Sequence, residues 1–202
     1  GIILYPDSVE VSHGEASDAT GPAGNEVVSL GDGGRATLTF GHPIKDAPGP
    51  DFAVFENSFD GRFLELAFVE VSSDGKNYQR FPATSLTPVD AQVGPYGVMD
   101  PDQIRNLAGK FRSGRGTPFD LAELKDIPGL DINRITAVRV IDVIGILDDS
   151  LGSRDAGGRR INDPFPTPFE SGGFDLDAVA VIVALVAFLL VLSQSETSRD
   201  FA

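Results

Sequence analysis

Six side chains offer oxygen atoms at spacings that suit a hard cation. Asp51, Glu56, Asn57 and Asp60 lie within one ten-residue stretch, and Asp175 and Asp177 occupy alternate positions just ahead of an apolar run. Ca²⁺ takes about six to eight oxygen ligands from carboxylates, amides and backbone carbonyls, and Gly-rich loops present such carbonyls readily. The pattern predicts a structural Ca²⁺ held by these residues. There is no Asp-x-Asp-x-Asp-Gly loop, so separate segments must be brought together to form the site, and solvated surface acids are the competing reading. The same oxygens suit glycoside hydrolysis, which needs two carboxyl groups flanking a bond. With 30 acidic residues, however, some pair will be close in any fold. A catalytic pair also needs a pocket that shifts its pKa values, which a sequence does not display.

Other chemistries are poorly supplied. The chain has no cysteine and no Gly-x-Ser-x-Gly elbow, and His13 and His42 stand in Gly- and Pro-rich contexts without an evident partner. Gly31-Asp32-Gly33-Gly34 lacks the spacing and the following helix of a phosphate cradle, and reads as a turn. A formal net charge of −14 opposes binding to nucleic acid, whose phosphates require a basic surface. Carbohydrate binding calls for exposed aromatic platforms. The chain has no Trp and three Tyr, and most of its 14 Phe lie in apolar patterns expected in a core. Tyr96, within Val93-Gly94-Pro95-Tyr96-Gly97, is the aromatic best placed for exposure. No enzyme is expected.

The elements that must position these groups read as β-structure. Residues 1–25 form an irregular entry segment, 26–182 a β-sandwich domain, and 183–202 an apolar segment with a short polar tail. Val27 to Leu30 and Ala36 to Phe40 flank the Gly-rich tetrad as a hairpin. Leu64 to Val71 is apolar on both faces, as a central strand would be. Ser72 to Asn77, with its Asp-Gly pair, is a tight turn leading to Tyr78-Gln79-Arg80-Phe81. Two short helices are expected, Asp100 to Gly109 and Thr117 to Leu124, each with a capping residue and a Pro at its start. Ile135 to Ile146 is the strongest strand signal, and the long loop from Leu147 to Gly173 is of a length usually kept for function. Many short strands with Gly/Pro turns predict an all-β, antiparallel sandwich of jelly-roll type.

The apolar run from Ala178 to Leu192 bears on location. A helix crossing a bilayer needs about 20 apolar residues, with a lower limit near 17. This run has about fifteen, and its first residues equally suit a final buried β-strand. If a helix forms from about Ala184, then Leu185, Val186, Phe188, Leu189, Leu190 and Leu192 supply a face for lipid or for the transmembrane helices of a partner. The sequence opens without Met or a signal peptide and reads as a processed mature end.

The segments Asp51 to Asn57, Leu64 to Gly75 and Gly172 to Val179 resemble a family of exported bacterial cell-surface proteins. The likeness runs from about Val27 to Val181, and members commonly carry a C-terminal sorting or anchoring tail. Val69 to Tyr78 also resembles the matching strand and turn of galactose-binding-like jelly rolls. Past Ile182 the chain departs from the family, with no Pro-Glu-Pro signal and no terminal Arg cluster. The resemblance implies an exported protein, periplasmic or at the cell surface. The expected function is a non-enzymatic binding or scaffold role, as an accessory subunit held at a membrane by the C-terminal segment. The alternative is a calcium-stabilised module binding carbohydrate or a small ligand, and a carboxylate-dependent hydrolase comes third.

Overall fold

A computed structural model describes residues 8–24 and 26–182. Two antiparallel sheets pack face to face. The first has strand order β1 (Val28–Ser29), β11 (Asp175–Val181), β3 (Phe52–Glu56) and β9 (Thr117–Phe119). The second has order β2 (Arg35–Ile44), β10 (Ile135–Asp142), β4 (Ala67–Ser72) and β5 (Gln79–Arg80), with β8 (Leu107–Ala108) also pairing with β4. A small ribbon of β6 (Thr84–Ser85) and β7 (Ile104–Arg105) stands apart.

The alternation of strand side chains creates two cores. Phe52, Val54, Val69, Val71, Val138 and Leu176 point between the sheets, where Phe52 stacks on Phe119 with ring centres 5.4 Å apart. Burying each such side chain stabilises the fold by about 1.5–3 kcal/mol. The opposite face of β4 is covered as well: Phe68 packs with Leu64, Leu66, Met99, Ile104 and Leu107 in a second cluster beneath the loops. Every residue of β4 is buried for that reason, as a central strand requires.

The β-sandwich, the central strand, the turn into β5 and the strand from Ile135 match the sequence reading. So does the long loop, which between β10 and β11 contains only one isolated bridge, Arg154 with Arg160. Four local expectations are corrected. The Gly-rich tetrad does not close a hairpin: β1 joins one sheet and β2 the other, so the chain crosses between layers there. The carboxylate of Asp142 holds this crossing by accepting from the Gly33 amide at 3.0 Å and the Phe174 amide at 2.7 Å. The first expected helix shrinks to a 3-10 turn over Pro101–Gln103, after which Ile104 and Leu107 are drawn into strands by burial. The second becomes β9 followed by a 3-10 turn over Leu121–Leu124, whose cap is Asp120 rather than Thr117. Finally, the strand expected from Leu64 begins at Ala67, because the Leu66 amide donates to the Asp163 carboxylate at 3.2 Å and not to a neighbouring strand.

The apolar run divides at its early part: Ala178 to Val181 belong to β11, and Leu185, Val186, Phe188, Leu189, Leu190 and Leu192 lie outside the described residues. Among the described residues no helix is long and apolar enough to cross a membrane.

Candidate functional site

The six expected cation ligands fall in three places. Strand β3 separates them, because Asp51 precedes it and Asn57 follows it, and six steps of about 3.3 Å carry the chain about 20 Å. At the near end, carboxylate oxygens of Asp46, Asp51 and Asp120 lie within 4.8 Å of one another. Asp51 is already engaged there: its two oxygens accept from the amides of Ala47 and Leu121, both at 2.8 Å, tying two loops to the strand. Burial pushes its carboxyl up, opposed by those two amides. Asp60 is exposed in the loop beyond β3 and accepts from the Arg62 amide at 2.7 Å.

At the far end the fold does assemble a group. β11 lies beside β3, and their register slips between Leu176 and Ala178, so Asp177 occupies a bulge. Bulges re-aim side chains at sheet margins. Glu56, Asp175 and Asp177 are all buried here. Asn57, with its amide nitrogen turned toward the acids, donates to Asp175 Oδ2 and Glu56 Oε1, both at 3.3 Å. Ser29 donates to Asp175 Oδ1, and the Gly24 amide donates to Asp177 Oδ1 at 2.9 Å. Glu56 Oε2 is buried without a hydrogen-bond partner.

Burial is the main electrostatic force on these groups. It pushes Glu56 up to about 8, opposed by the Ser58 and Asn57 amides and reinforced by repulsion from Asp175 and Asp177. Glu65 enters the same field: burial pushes it up to about 10, reinforced by Asp175, Glu56 and Asp142. Asp175 is raised by burial too, against the opposing pull of Ser29, His13 and Asn57. Two more acids, Asp142 and Asp163, are fully buried behind the group and raised by the same desolvation.

Asn57, Glu65 and Asp175 line a pocket of about 310 Å³. Four rings share its lining in a continuous series: Phe59 stacks on Phe63 with centres 5.2 Å apart, Phe63 lies 6.5 Å from Tyr96, and Tyr96 lies 5.1 Å from Phe169. Phe59 is 80% exposed and Tyr96 70% exposed. The pocket is thus lined by the half-buried Glu65, the buried Asp175 and aromatic faces, two of them open to solvent. A larger groove of about 700 Å³ opens between β1 and β2, but its lining is mostly small and apolar residues and contains no acid.

The exposure expected of Tyr96 matches the structure. Most Phe were expected in a core; Phe59, Phe63 and Phe169 are exceptions that sit in loops outside both cores and line the pocket. Glu65 was hidden within an apparent strand. The one signal for it was a charged residue inside an otherwise apolar run, Phe63-Leu64-Glu65-Leu66-Ala67-Phe68. Comparison of the chain with family models, with curated proteins and with solved structures finds no match in any of the three.

Proposed function

We propose that this chain is a non-enzymatic binding module, exported and working at a cell surface or in the periplasm, which takes a small ligand in the pocket between β3, β11 and the loop after β10. The observation that carries this reading is the series of four aromatic rings on one pocket with two of them open to solvent. Aromatic faces left exposed beside a few convergent polar groups are the usual make-up of a small-molecule site. The scaffold reading depends on the apolar segment beyond residue 182 and is compatible with a binding domain ahead of it.

Binding is favoured over hydrolysis by the electrostatics. A glycosidase separates the pKa values of its two carboxyl groups, one held as acid and one as base. Here Glu56, Glu65 and Asp175 are all pushed in the same direction by the same burial. Structural calcium remains a proposal for the Asp46, Asp51 and Asp120 group.

The test is aromatic NMR of Phe- and Tyr-labelled protein against a panel of neutral glycosides and small amines. At least one class should shift the resonances of Tyr96 and Phe59. Phe59→Ala and Tyr96→Ala should abolish the remaining shifts while the melting temperature stays unchanged. If no compound perturbs these rings at millimolar concentration, the pocket is not a ligand site.

A further inference from the structure

The acids around the pocket have no cation of their own. Among the described residues, none of the Arg–carboxylate ion pairs involves Glu56, Glu65, Asp175 or Asp177. No Lys, Arg or His lines the pocket. The nearest basic influence is His13, an exposed residue that favours the ionised form of Asp175. Glu56 adds a buried carboxylate oxygen with no partner, adjacent to the pocket-lining Asn57. A fold rarely buries several acids this way without something to compensate them.

Two features narrow what that something is. An inorganic cation would use the oxygens and ignore the rings, yet no three carboxylates of this pocket approach within ligand-sharing distance, as Asp46, Asp51 and Asp120 do. A neutral sugar would use the rings but not the capacity of the buried acids to ionise. A positively charged nitrogen bearing carbon substituents uses both, because aromatic faces attract cations and tolerate alkyl groups. Resting on the reading of the pocket as a ligand site, we propose that its ligand is an organic ammonium compound, with the charged nitrogen facing Glu65 and Asp175 and its substituents against Phe63, Tyr96 and Phe169.

Proton exchange accompanies such binding. Glu56, Glu65, Asp142, Asp163, Asp175 and Asp177 crowd this end of the sandwich, with Asp32 and His13 beside them, and burial raises Glu56, Glu65 and Asp175 towards their protonated forms. An arriving cation favours their ionised forms, so it releases protons and binds more tightly as pH rises towards about 10, the value to which burial pushes Glu65.

The decisive comparison uses the full chain, titrated calorimetrically and by aromatic NMR with choline, its neutral isostere 3,3-dimethyl-1-butanol, a methyl galactoside and calcium chloride. Choline should bind at least about tenfold more tightly than the isostere, a difference of about 1.4 kcal/mol. It should shift Tyr96 and Phe169 and release protons in buffers of different ionisation enthalpy. Glu65→Gln should reduce the preference for choline over the isostere by about tenfold. The comparison of isosteres on the unaltered chain needs no variant to fold. Equal binding of choline and isostere, or binding of the galactoside alone, would overturn the ammonium proposal while leaving the ligand site standing. Calcium shifting these rings in place of choline would do the same. If no probe shifts them, both readings fall.

Discussion

Glu70 and Glu56 are both buried glutamates on strands of the same sandwich, and the fold treats them in opposite ways. Glu70 sits on the outer face of β4, directly across from Arg139 on β10 and Arg80 on β5. Arg80 Nη2 meets Glu70 Oε1 at 2.8 Å, and Arg139 Nε donates to Oε2 at 2.7 Å. The two guanidinium groups are themselves backed by rings, Arg80 over Phe68 and Arg139 over Tyr78. Glu56 has Asn57 as its side-chain donor, two more acids as neighbours and one oxygen with no partner. A carboxylate that serves the fold is compensated within it. Glu56 is instead raised towards its neutral form by burial, with the Ser58 and Asn57 amides opposing, and stands beside the pocket as an acid that an arriving cation would ionise.

That contrast can be broken from either side. The largest effect is expected where a buried acid is purely structural. Asp142→Ala leaves the Gly33 and Phe174 amides without acceptors and should cost about 2–6 kcal/mol, at about 1–3 kcal/mol for each orphaned donor. Chemical denaturation measures it directly, and a loss below about 1 kcal/mol would mean water replaces the clamp.

Next comes Glu56→Gln. The folded state holds this proton up to about 8 against an ordinary value of 4.5. The folded chain therefore binds more protons than the unfolded chain between those values. Stability from this group is fully present below the lower value and is lost as pH rises through the upper one. The glutamine variant should be more stable than the parent near pH 8 by on the order of 1–3 kcal/mol, with little difference at pH 4. Equal stability of the two proteins across that range would show that Glu56 is compensated after all.

The smallest effect belongs to the compensated site. Arg139→Ala leaves Glu70 to Arg80 alone and should cost about 1–2 kcal/mol, since the arginine is partly exposed and solvent screens the rest. A double-mutant cycle with Glu70→Gln isolates the coupling.

How far the sequence could be read follows the same division. Alternation and turn chemistry exposed β4, the Ser72 to Asn77 turn and β10, because each is fixed by neighbours close along the chain or by burial on both faces. The Gly-rich tetrad misled, since its turn chemistry is equally served by a crossing between sheets. What selects the crossing is Asp142, more than a hundred residues away. Asp100 and Asp120 do cap turns, but Ile104, Leu107 and Phe119 are claimed by the cores before a helix can extend. Of the six residues expected to hold a cation, the fold brings Glu56, Asn57, Asp175 and Asp177 together and leaves Asp51 and Asp60 apart, because strand pairing and not sequence spacing decides which of them meet. The aromatic half was illegible because Phe59 and Phe63 stand far in the sequence from Tyr96 and from Phe169, and the four meet only when separate loops are placed.

The pairing of Val28 with Leu176, and of β3 with the same strand β11, places the last strand of the sandwich in the middle of its sheet. A ribosome delivers that strand after all the others. Until it arrives, β1 and β3 have no common partner, the bulge at Asp177 does not exist, and Glu56 at the end of β3 does not meet Asp175 and Asp177. The pocket is therefore the final feature to form during synthesis, and long-range closure of this kind is slow. Before closure the nascent chain exposes two sheet edges to any strand that will pair with them, so its period of greatest vulnerability to misassembly ends only when residues 175–181 are docked.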